Sequence, residues 1–449
     1  MLYTRLAGGP VIALHKMRLP LSVAGSLAAG LLAVNSLRAQ SWEIGPFVRP
    51  LDAPVIEPNR FYYFIDPLTQ QKTLWDDLAT FDPGAAIAPD GEIALLFHAE
   101  GDSGESHEGD PASRLALATS RDGLFFTVDG TPLLYPRNTP LRVQDARDGL
   151  RSPRVVVAPD GGYVMTYTQS SPIREGKGGA QDKEQYTIEV ATSKKKSLRD
   201  WTQWGPAFAD ASRGSRNKDA WRDNGSGAIL TELHHGRLQA AKLHGRYWMY
   251  WGSRTIHLAT STDLIHWTPV LDRRTGRPLI VLGARAGHFD SGAAEAGPPP
   301  LLTRRGIILI YNGENSLLGT SDAKNSQATD APAPAVPPDP AGAVSKAAGS
   351  KDKTIASHSD PPEARLPADP TLRPGAYAVG EALFSSADPS RLVERTEHPV
   401  LQPIWPYERN GQYNAGAVRA EGLVIWQGQW LLYYGAADSV IGVARAPMR

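Results

Sequence analysis

Short apolar runs recur along most of the chain, and they predict β-strands. The runs are rich in Val, Ile, Tyr and Trp and are bounded by Gly, Asp and Ser, which is the pattern of strands joined by tight turns. A block of two such runs occurs five times, with a glycine leading the first run and Ala-Thr-Ser or a similar triplet ending the second in most copies. The copies begin at residues 91, 161, 245, 306 and 428.

The repetition of this block predicts the fold. The spacings between copies are long and uneven, which favours four-stranded blades with variable loops over a helical solenoid. We therefore predict an all-β fold, a five-bladed β-propeller, over residues 41–449. Residues 42–80, which include Trp42, Phe47 and Trp75, are expected to wrap the outside or to help close the ring.

Two segments differ in composition from this repeated core. In residues 1–40, Lys16 and Arg18 precede an apolar run, and Ala39 stands at a plausible cleavage point; this arrangement predicts a signal peptide and a periplasmic or secreted protein. The apolar run is short for a membrane span of roughly 20 residues, although an uncleaved anchor stays open. Residues 320–374 are dominated by Ala, Pro, Asp, Ser, Lys and Gly, which predicts a disordered insertion within the fourth blade.

Composition excludes several classes of function. Lys plus Arg equals Asp plus Glu, at 47 each, so the chain has no excess charge to hold nucleic acid or an anionic membrane. The absence of cysteine excludes disulfides, thiolate zinc sites and cysteine nucleophiles. Dinucleotide, P-loop and G-x-S-x-G signatures are missing, and the adjacent His234 and His235 would face opposite sides of a strand. We expect no cofactor and no metal.

Charged and amide side chains stand just before the glycine-led strands. In a propeller the first strand of each blade lines the central channel, and polar groups that converge at its mouth form the usual small-molecule site. Each residue alone also fits a satisfied turn. Two carboxylates that face one channel are harder to explain in this way, because like charges raise each other's pKa at a cost in stability. The candidates in chain order are Asp82, Arg151, Ser152, Arg154, Glu232, Arg237, Asp290, Glu295, Tyr413 and Asn414.

Four segments together resemble glycoside hydrolase family 130: FDPGAAIA, RSPRVVV, EAGPPPLLTRRGIILIYNG and WLLYYGAADSVIGVA. The resemblance covers residues 81–446 apart from the insertion. Members of that family are five-bladed propellers that act on β-mannosides, either as phosphorylases or as hydrolases. The resemblance therefore implies the same fold and an oligosaccharide or glycoside substrate.

The chain also departs from the phosphorylases of that family. They carry Glu-Asp-Pro-Arg where this chain has RSPR at 151–154, and their aspartate is the proton donor, a task that Ser152 cannot perform at neutral pH. Asp82 stands where the family more often has asparagine, which makes Asp82 the candidate acid, with Asp145 and Asp148 as alternatives. The stretch around Glu295 resembles the hydrolytic β-1,2-mannosidase branch, in which a glutamate pair is implicated in activating water.

These observations predict an exported glycosidase that hydrolyses β-mannosides or related glycosides with inversion. Glu232 and Glu295 are the expected pair that positions and deprotonates water, since single displacement needs an acid and a base about 6.5–9.5 Å apart. A carboxylate beside phosphate would be repelled, which favours water as the acceptor. Two alternatives stay open: a glycoside phosphorylase, and a carbohydrate-binding propeller that has lost catalysis, as Ser152 suggests. The expected partners of sugar hydroxyls are Arg154, Asp290, Asn414 and Asp438.

Overall fold

The computed structural model describes residues 42–66, 70, 72–101, 112–135, 149–173, 183–193, 197–209, 224–317 and 366–448. In these ranges the regular structure is almost entirely β-strand, and the one helix, α1 (Pro406–Arg409), is a single turn. The prediction of an all-β chain is therefore confirmed. The predicted signal peptide, Asp145, Asp148 and residues 318–365 of the predicted insertion lie outside the described residues. In the described part no helix is long and apolar enough to cross a membrane.

Five antiparallel meanders contain most of the strands, and each includes one copy of the repeat predicted from the sequence. The first comprises β3 (Ala79–Ile87), β4 (Ile93–Gly101), β5 (Ala112–Ser120) and β6 (Thr127–Val128), and the second β7 (Gly149–Val157), β8 (Tyr163–Ile173), β9 (Lys183–Ser193) and β10 (Trp201–Pro206). The third comprises β11 (Gly227–Ile229), β14 (Lys242–Leu243), β15 (Arg246–Trp251), β16 (Ile256–Ser261), β17 (Trp267–Pro269) and β18 (Ile280–Leu282). The fourth comprises β19 (Ala293–Ala296), β20 (Leu301–Thr303), β21 (Gly306–Glu314), β22 (Tyr377–Phe384) and β23 (Leu392–Arg395), and the fifth β24 (Val418–Trp426), β25 (Gln429–Ala436) and β26 (Val440–Pro447).

The third meander departs from the sequence prediction at its first strand. The strand that pairs with β15 is the short β11, and the chain leaves it after Ile229. The residues that follow form a separate hairpin, β12 (Thr231–His234) and β13 (Arg237–Ala240). This hairpin pairs in parallel with β20 on one side and β7 on the other, so it links the second and fourth meanders.

Apolar side chains pack between successive meanders. One cluster joins the first and second meanders, and others join the second to the third, the third to the fourth and the fourth to the fifth. A further cluster joins the fifth meander to the first, with Leu431 and Tyr433 packed against Leu95 and Phe97. Burial on both faces explains why the strand IALLFHAEG is apolar almost throughout.

The segment from Trp42 to Ile56 attaches to the outer strand β26 of the fifth meander. Val48 bridges Arg445 and Ile56 bridges Ile441. Glu381 accepts hydrogen bonds from the backbone N–H groups of Ile44 and Gly45 at 2.8 and 2.9 Å. These contacts place the segment against β26 of the fifth meander and, through Glu381, against β22 of the fourth. That residues 42–80 wrap the outside or help to close the ring stays a prediction.

A further hairpin, β1 (Tyr63–Ile65) with β2 (Lys72–Leu74), precedes the first meander. Residues 366–374, at the end of the predicted insertion, contact the fourth meander. The Asn315 side chain donates to the carbonyls of Asp369, Leu372 and Arg373 and accepts from the Asp369 N–H. Disorder of the insertion therefore stays a prediction only for 320–365, and its last residues are ordered.

Candidate functional site

β-Bulges redirect polar or charged residues of three first strands. The bulges lie at Asp82 in β3, at Ser152 in β7 and at Glu421 in β24. A bulge adds an unpaired residue and re-aims its side chain. Asp82 and Ser152 also have φ values of 50° and 53°, a left-handed conformation that is uncommon outside glycine and more frequent for Asp than for Ser.

Arg419 lies at the centre of a cluster of charged side chains. Its other members at this point are Asp82, Glu295, Glu421 and Asp438. Its guanidinium lies 4.0 Å from the centre of the Tyr377 ring. Its Nε lies 4.0 Å from Oε2 of Glu295, and its Nη1 lies 3.9 Å from Oδ2 of Asp438. Burial lowers the pKa of Arg419, but Asp438 and the other neighbouring anions outweigh it and raise that pKa. One permanently charged guanidinium thus separates two carboxylates from different strands.

Glu295 is a buried carboxylate with a defined orientation. It belongs to β19, and the residue is 5% exposed. Ser226, which precedes β11 with φ 54°, donates its hydroxyl to Oε1 of Glu295 at 2.5 Å. The predicted position of Glu295 in a carboxylate site therefore agrees with the structure.

Asp438 has the properties of a proton donor. It lies in the turn between β25 and β26, and burial, together with repulsion from Asp82, Glu100 and Glu295, raises its pKa to about 6 against the opposing effect of Arg419. A carboxyl group with that pKa is partly protonated near neutral pH. The prediction placed Asp438 among the hydroxyl-binding residues, whereas its environment suits acid catalysis.

Asp82 has the opposite electrostatic environment. Its Oδ2 accepts the Ser152 hydroxyl at 2.8 Å and lies 3.8 Å from Nδ1 of the buried His98. Burial raises the pKa of Asp82, but His98, Arg419 and the Ser152 hydroxyl together outweigh burial and lower this pKa to about 2. Asp82 is therefore ionised at neutral pH, which argues against its predicted role as the acid.

Arg154 is committed to protein partners and not to a sugar. It is 1% exposed, and it donates to the carbonyls of Ser152, Ala296 and Gly297 at 2.7, 2.8 and 3.1 Å. Its Nη2 also lies 3.2 Å from Oε1 of Glu421. The prediction that Arg154 binds sugar hydroxyls is therefore corrected.

Three other predicted residues lie outside this cluster. Glu232 is exposed in β12, as are the two residues after it, whereas Thr231 is buried. Asp290 is fully buried and bound by Arg285, Arg395 and the Tyr311 hydroxyl, which makes it a structural ion pair. The pair Glu232–Glu295 and the sugar-binding role of Asp290 are therefore withdrawn. Asn414 is exposed in the loop before β24, and its sugar-binding role stays a prediction.

The cluster contains charged residues that the sequence analysis missed. Glu314 lies next to Tyr377, whose hydroxyl donates to its Oε2 at 3.2 Å, and burial raises the pKa of Glu314. Burial also raises the pKa of Glu421 well above its usual value. The available signal was charge inside otherwise apolar strands, as in VRAEGLVIW and IALLFHAEG; it identifies Arg419, Glu421, His98 and Glu100.

Unpaired polar atoms make this cluster a candidate binding site for a polar ligand. Buried donors and acceptors are normally paired, and unpaired ones clustered with charged groups suit a ligand that carries several hydroxyls. In the described part of the chain, the cluster's buried atoms without a hydrogen-bond partner are Asp82 Oδ1, His98 Nδ1, Arg419 Nε, Glu421 Oε2 and Asp438 Oδ1. No group of three or more metal-ligating side chains among the described residues is arranged to hold a metal.

An all-β chain with several carboxylates of different pKa around one arginine has the features of a carbohydrate-active enzyme. Comparison with known proteins makes the class specific. Residues 371–449 match the family model described as β-1,4-mannooligosaccharide phosphorylase. A 1,2-β-oligomannan phosphorylase of Thermoanaerobacter sp. is 26% identical over 378 residues, which are 84% of this chain and 92% of that protein.

Two solved structures are more similar. A glycosyl hydrolase from Bacteroides ovatus is 34% identical, with a TM-score of 0.71 over 92% of this chain and 96% of that chain. A second structure is 34% identical, with a TM-score of 0.72 over 91% of this chain and 95% of that chain. It is described by the statement that the GH130 family of mannoside phosphorylases contains glycoside hydrolases that target β-1,2 mannosidic linkages in Candida mannan. The protein belongs to glycoside hydrolase family 130.

Proposed function

We propose that this protein hydrolyses β-mannosides by single displacement at the cluster around Arg419. The main supporting observation is that the Arg419 guanidinium lies about 4 Å from two carboxylates, Glu295 and Asp438. The raised pKa of Asp438 keeps this carboxyl group partly protonated. Titratable groups whose environments push their pKa values apart indicate the division between acid and base. The β-mannoside specificity is inferred from the names of the relatives.

In this proposal Asp438 is the general acid and Glu295 the general base. Asp438 protonates the glycosidic oxygen as the bond to the anomeric carbon breaks, and Glu295 removes a proton from the water that attacks the opposite face. Because the two carboxylates contact different nitrogens of Arg419, their arrangement is compatible with the separation of about 6.5–9.5 Å used by inverting enzymes. The ionised Asp82 remains available to accept a hydrogen bond from a sugar hydroxyl.

The relative from Thermoanaerobacter is a phosphorylase, so phosphorolysis is the competing function. A phosphate acceptor needs clustered cations, but Arg154 is committed to three carbonyls and Glu421. Asp82, Glu295 and Asp438 surround Arg419 instead. A dianion within a few ångströms of such carboxylates would be repelled by roughly several kcal/mol at an effective dielectric near 20. Water avoids this cost and gains a base.

The proposal includes the predicted architecture and location. The five meanders would form the blades of one propeller, with the cluster at the mouth of its channel; the apolar packing from each meander to the next, and from the fifth back to the first, supports this arrangement. Export to the periplasm or beyond is proposed from the composition of residues 1–40 alone.

Turnover of β-1,2- and β-1,4-linked mannobiose by matched variants tests the assignment. We expect Glu295→Gln and Asp438→Asn each to lower kcat by about 100-fold or more, the usual range for loss of an acid or base. Glu232→Gln should behave like the unmodified protein, because that carboxylate is exposed on the β12–β13 hairpin. Loss of activity in Glu232→Gln with full activity in Glu295→Gln would refute the assignment.

A further inference from the structure

The Arg154 guanidinium holds the strand that carries Glu295. Its Nη2 and Nε donate to the carbonyls of Ala296 and Gly297, the two residues directly after Glu295. Its Nη1 donates to the Ser152 carbonyl in its own strand. Two nitrogens of one planar group therefore connect β7 to the end of β19 while the third binds within β7, a geometry that the compact ammonium of lysine cannot reproduce.

Glu421 fixes the same guanidinium from a third strand. Its Oε1 lies 3.2 Å from Nη2 of Arg154, and both side chains are 1% exposed. Glu421 is the bulged residue of β24, so its side chain points away from the regular ladder. The buried pair thus joins strands of the second, fourth and fifth meanders at one point.

A second connection ties β24 to β21, the strand that pairs with β19. Asn312 faces Glu295 in the ladder, and its fully buried amide bonds both backbone groups of Ala420, accepting from the N–H at 2.8 Å and donating to the carbonyl at 3.3 Å. Ala420 lies between Arg419 and Glu421 in the chain. The backbone around Glu295 is therefore held against the backbone that carries Arg419.

We infer that Arg154, oriented by Glu421, is a positioning residue for Glu295: it sets the place of that carboxylate by holding the two carbonyls that follow it. The inference rests on the proposed role of Glu295 as the base. Arg154 acts through the backbone and touches no reacting atom. Its loss should misplace the base while the pocket for the sugar persists.

The test is a double-mutant cycle between Arg154→Lys and Glu295→Gln, with Arg237→Lys as the matched control. Arg237 was a candidate in the sequence analysis, but this half-buried arginine donates to the carbonyl of Ala88 at 2.7 Å, just past the end of β3 and six residues from Asp82. Its replacement therefore reports the general cost of losing such a contact. We expect Arg154→Lys to lower kcat by about 100-fold, as small misplacements of catalytic groups do, with KM within about threefold of the original.

In the Glu295→Gln background, Arg154→Lys should change kcat by less than about threefold, because residues that act through one another are not additive. A full second loss in that background, or a folded Arg154→Lys protein with unchanged kcat, would overturn the inference. If Arg154→Lys does not fold, Glu421→Met, which removes the carboxylate that orients Arg154, goes through the same cycle with the same expectations.

A readout without catalysis separates this inference from the proposed function. Crystal structures of the original protein and Arg154→Lys should show the Glu295 carboxylate displaced by roughly 1 Å or more, a shift large enough to impair a catalytic group. An unmoved Glu295 carboxylate would contradict the inference whatever the substrate proves to be. Absence of mannoside turnover in the original protein would refute the proposed function alone.

Discussion

At the scale of single residues, two aspartates in one cluster have pKa values shifted in opposite directions. Asp82 has three groups that favour its charge, namely His98, Arg419 and the Ser152 hydroxyl. Asp438 has Arg419 alone, and it faces Asp82 and other anions. The ionised Asp82 therefore helps to raise the pKa of Asp438, so the protonation of Asp438 depends on the charge of Asp82.

The pH profile of kcat/KM should report Asp438. Its folded pKa is raised to about 6, so the protonated form needed by a general acid predominates below that pH and is lost as pH rises through it. We expect kcat/KM to fall tenfold per pH unit on the alkaline side of about pH 6. Asp438→Asn should remove that limb along with most of the activity. A limb that persists unchanged in the residual activity of Asp438→Asn would assign it to another group.

Individual site residues were only partly predictable from the sequence. Glu295 was chosen because a carboxylate two residues before Gly297 and its three consecutive prolines stands at a strand entrance, and the structure places it in the cluster. Glu232 was chosen on the same reasoning, but the chain leaves β11 at Ile229 and begins a new hairpin, so Glu232 faces outward. Glu421 was missed although its charge inside the apolar strand VRAEGLVIW was a signal, because the bulge that turns its side chain into the cluster has no clear signature in the sequence.

At the scale of elements, the first strands approach one another closely through glycines. A Cβ on Gly84 of β3 would lie 2.3 Å from the Pro153 carbonyl of β7, and a Cβ on Gly422 of β24 would lie 2.6 Å from the Pro83 carbonyl of β3. Both glycines follow the bulges that place Asp82 and Glu421. The close backbone packing at these glycines and the orientation of Asp82 and Glu421 therefore both depend on the bulges.

Gly84→Ala should destabilise the protein and lower its activity. The methyl group would overlap backbone, which cannot move aside as a side chain can, so we expect a loss of about 2 kcal/mol or more in the free energy of unfolding. Gly283→Ala is the matched control, since its Cβ would meet only Ile280 Cγ2 at 3.9 Å. Denaturant unfolding measures both, and equal stability of the two variants would contradict this account of the first strands.

The strands themselves were predictable because each repeat combines an apolar run with a glycine before it. All five glycine-led runs are strands, β4, β8, β15, β21 and β25, and each pairs with the strand that follows in the repeat. The first strands were harder to place, since β11 has only three residues and β19 only four. Strands this short carry too little pattern to fix their ends.

At the scale of the whole molecule, the insertion predicted from composition ends earlier than expected. The buried Asn315 side chain binds the backbone of residues 369–373, and Leu372 packs against the cluster between the third and fourth meanders. The low apolar content of 320–374 concealed these contacts, because they are made by backbone groups that any residue supplies.

Two deletions should therefore differ. Replacing residues 320–365 with a short Gly-Ser link should leave the melting temperature within about 1 °C, since a segment poor in apolar residues contributes little burial. Extending the deletion to residue 374 leaves the Asn315 amide buried without these partners, which costs roughly 1–3 kcal/mol, or about 1–4 °C in a domain of roughly 400 residues. Calorimetry of both proteins decides the matter, and equal melting temperatures would contradict a packed role for 366–374.

We propose that the carboxylate cluster around Arg419 activates water, and not phosphate, to attack a β-mannoside. Product analysis of β-1,2-mannobiose turnover, with and without excess inorganic phosphate, tests this claim most directly. We predict mannose as the only product in both conditions, with α-mannose released first because the mechanism inverts the anomeric centre. Mannose 1-phosphate that forms only when phosphate is supplied would contradict the hydrolase account.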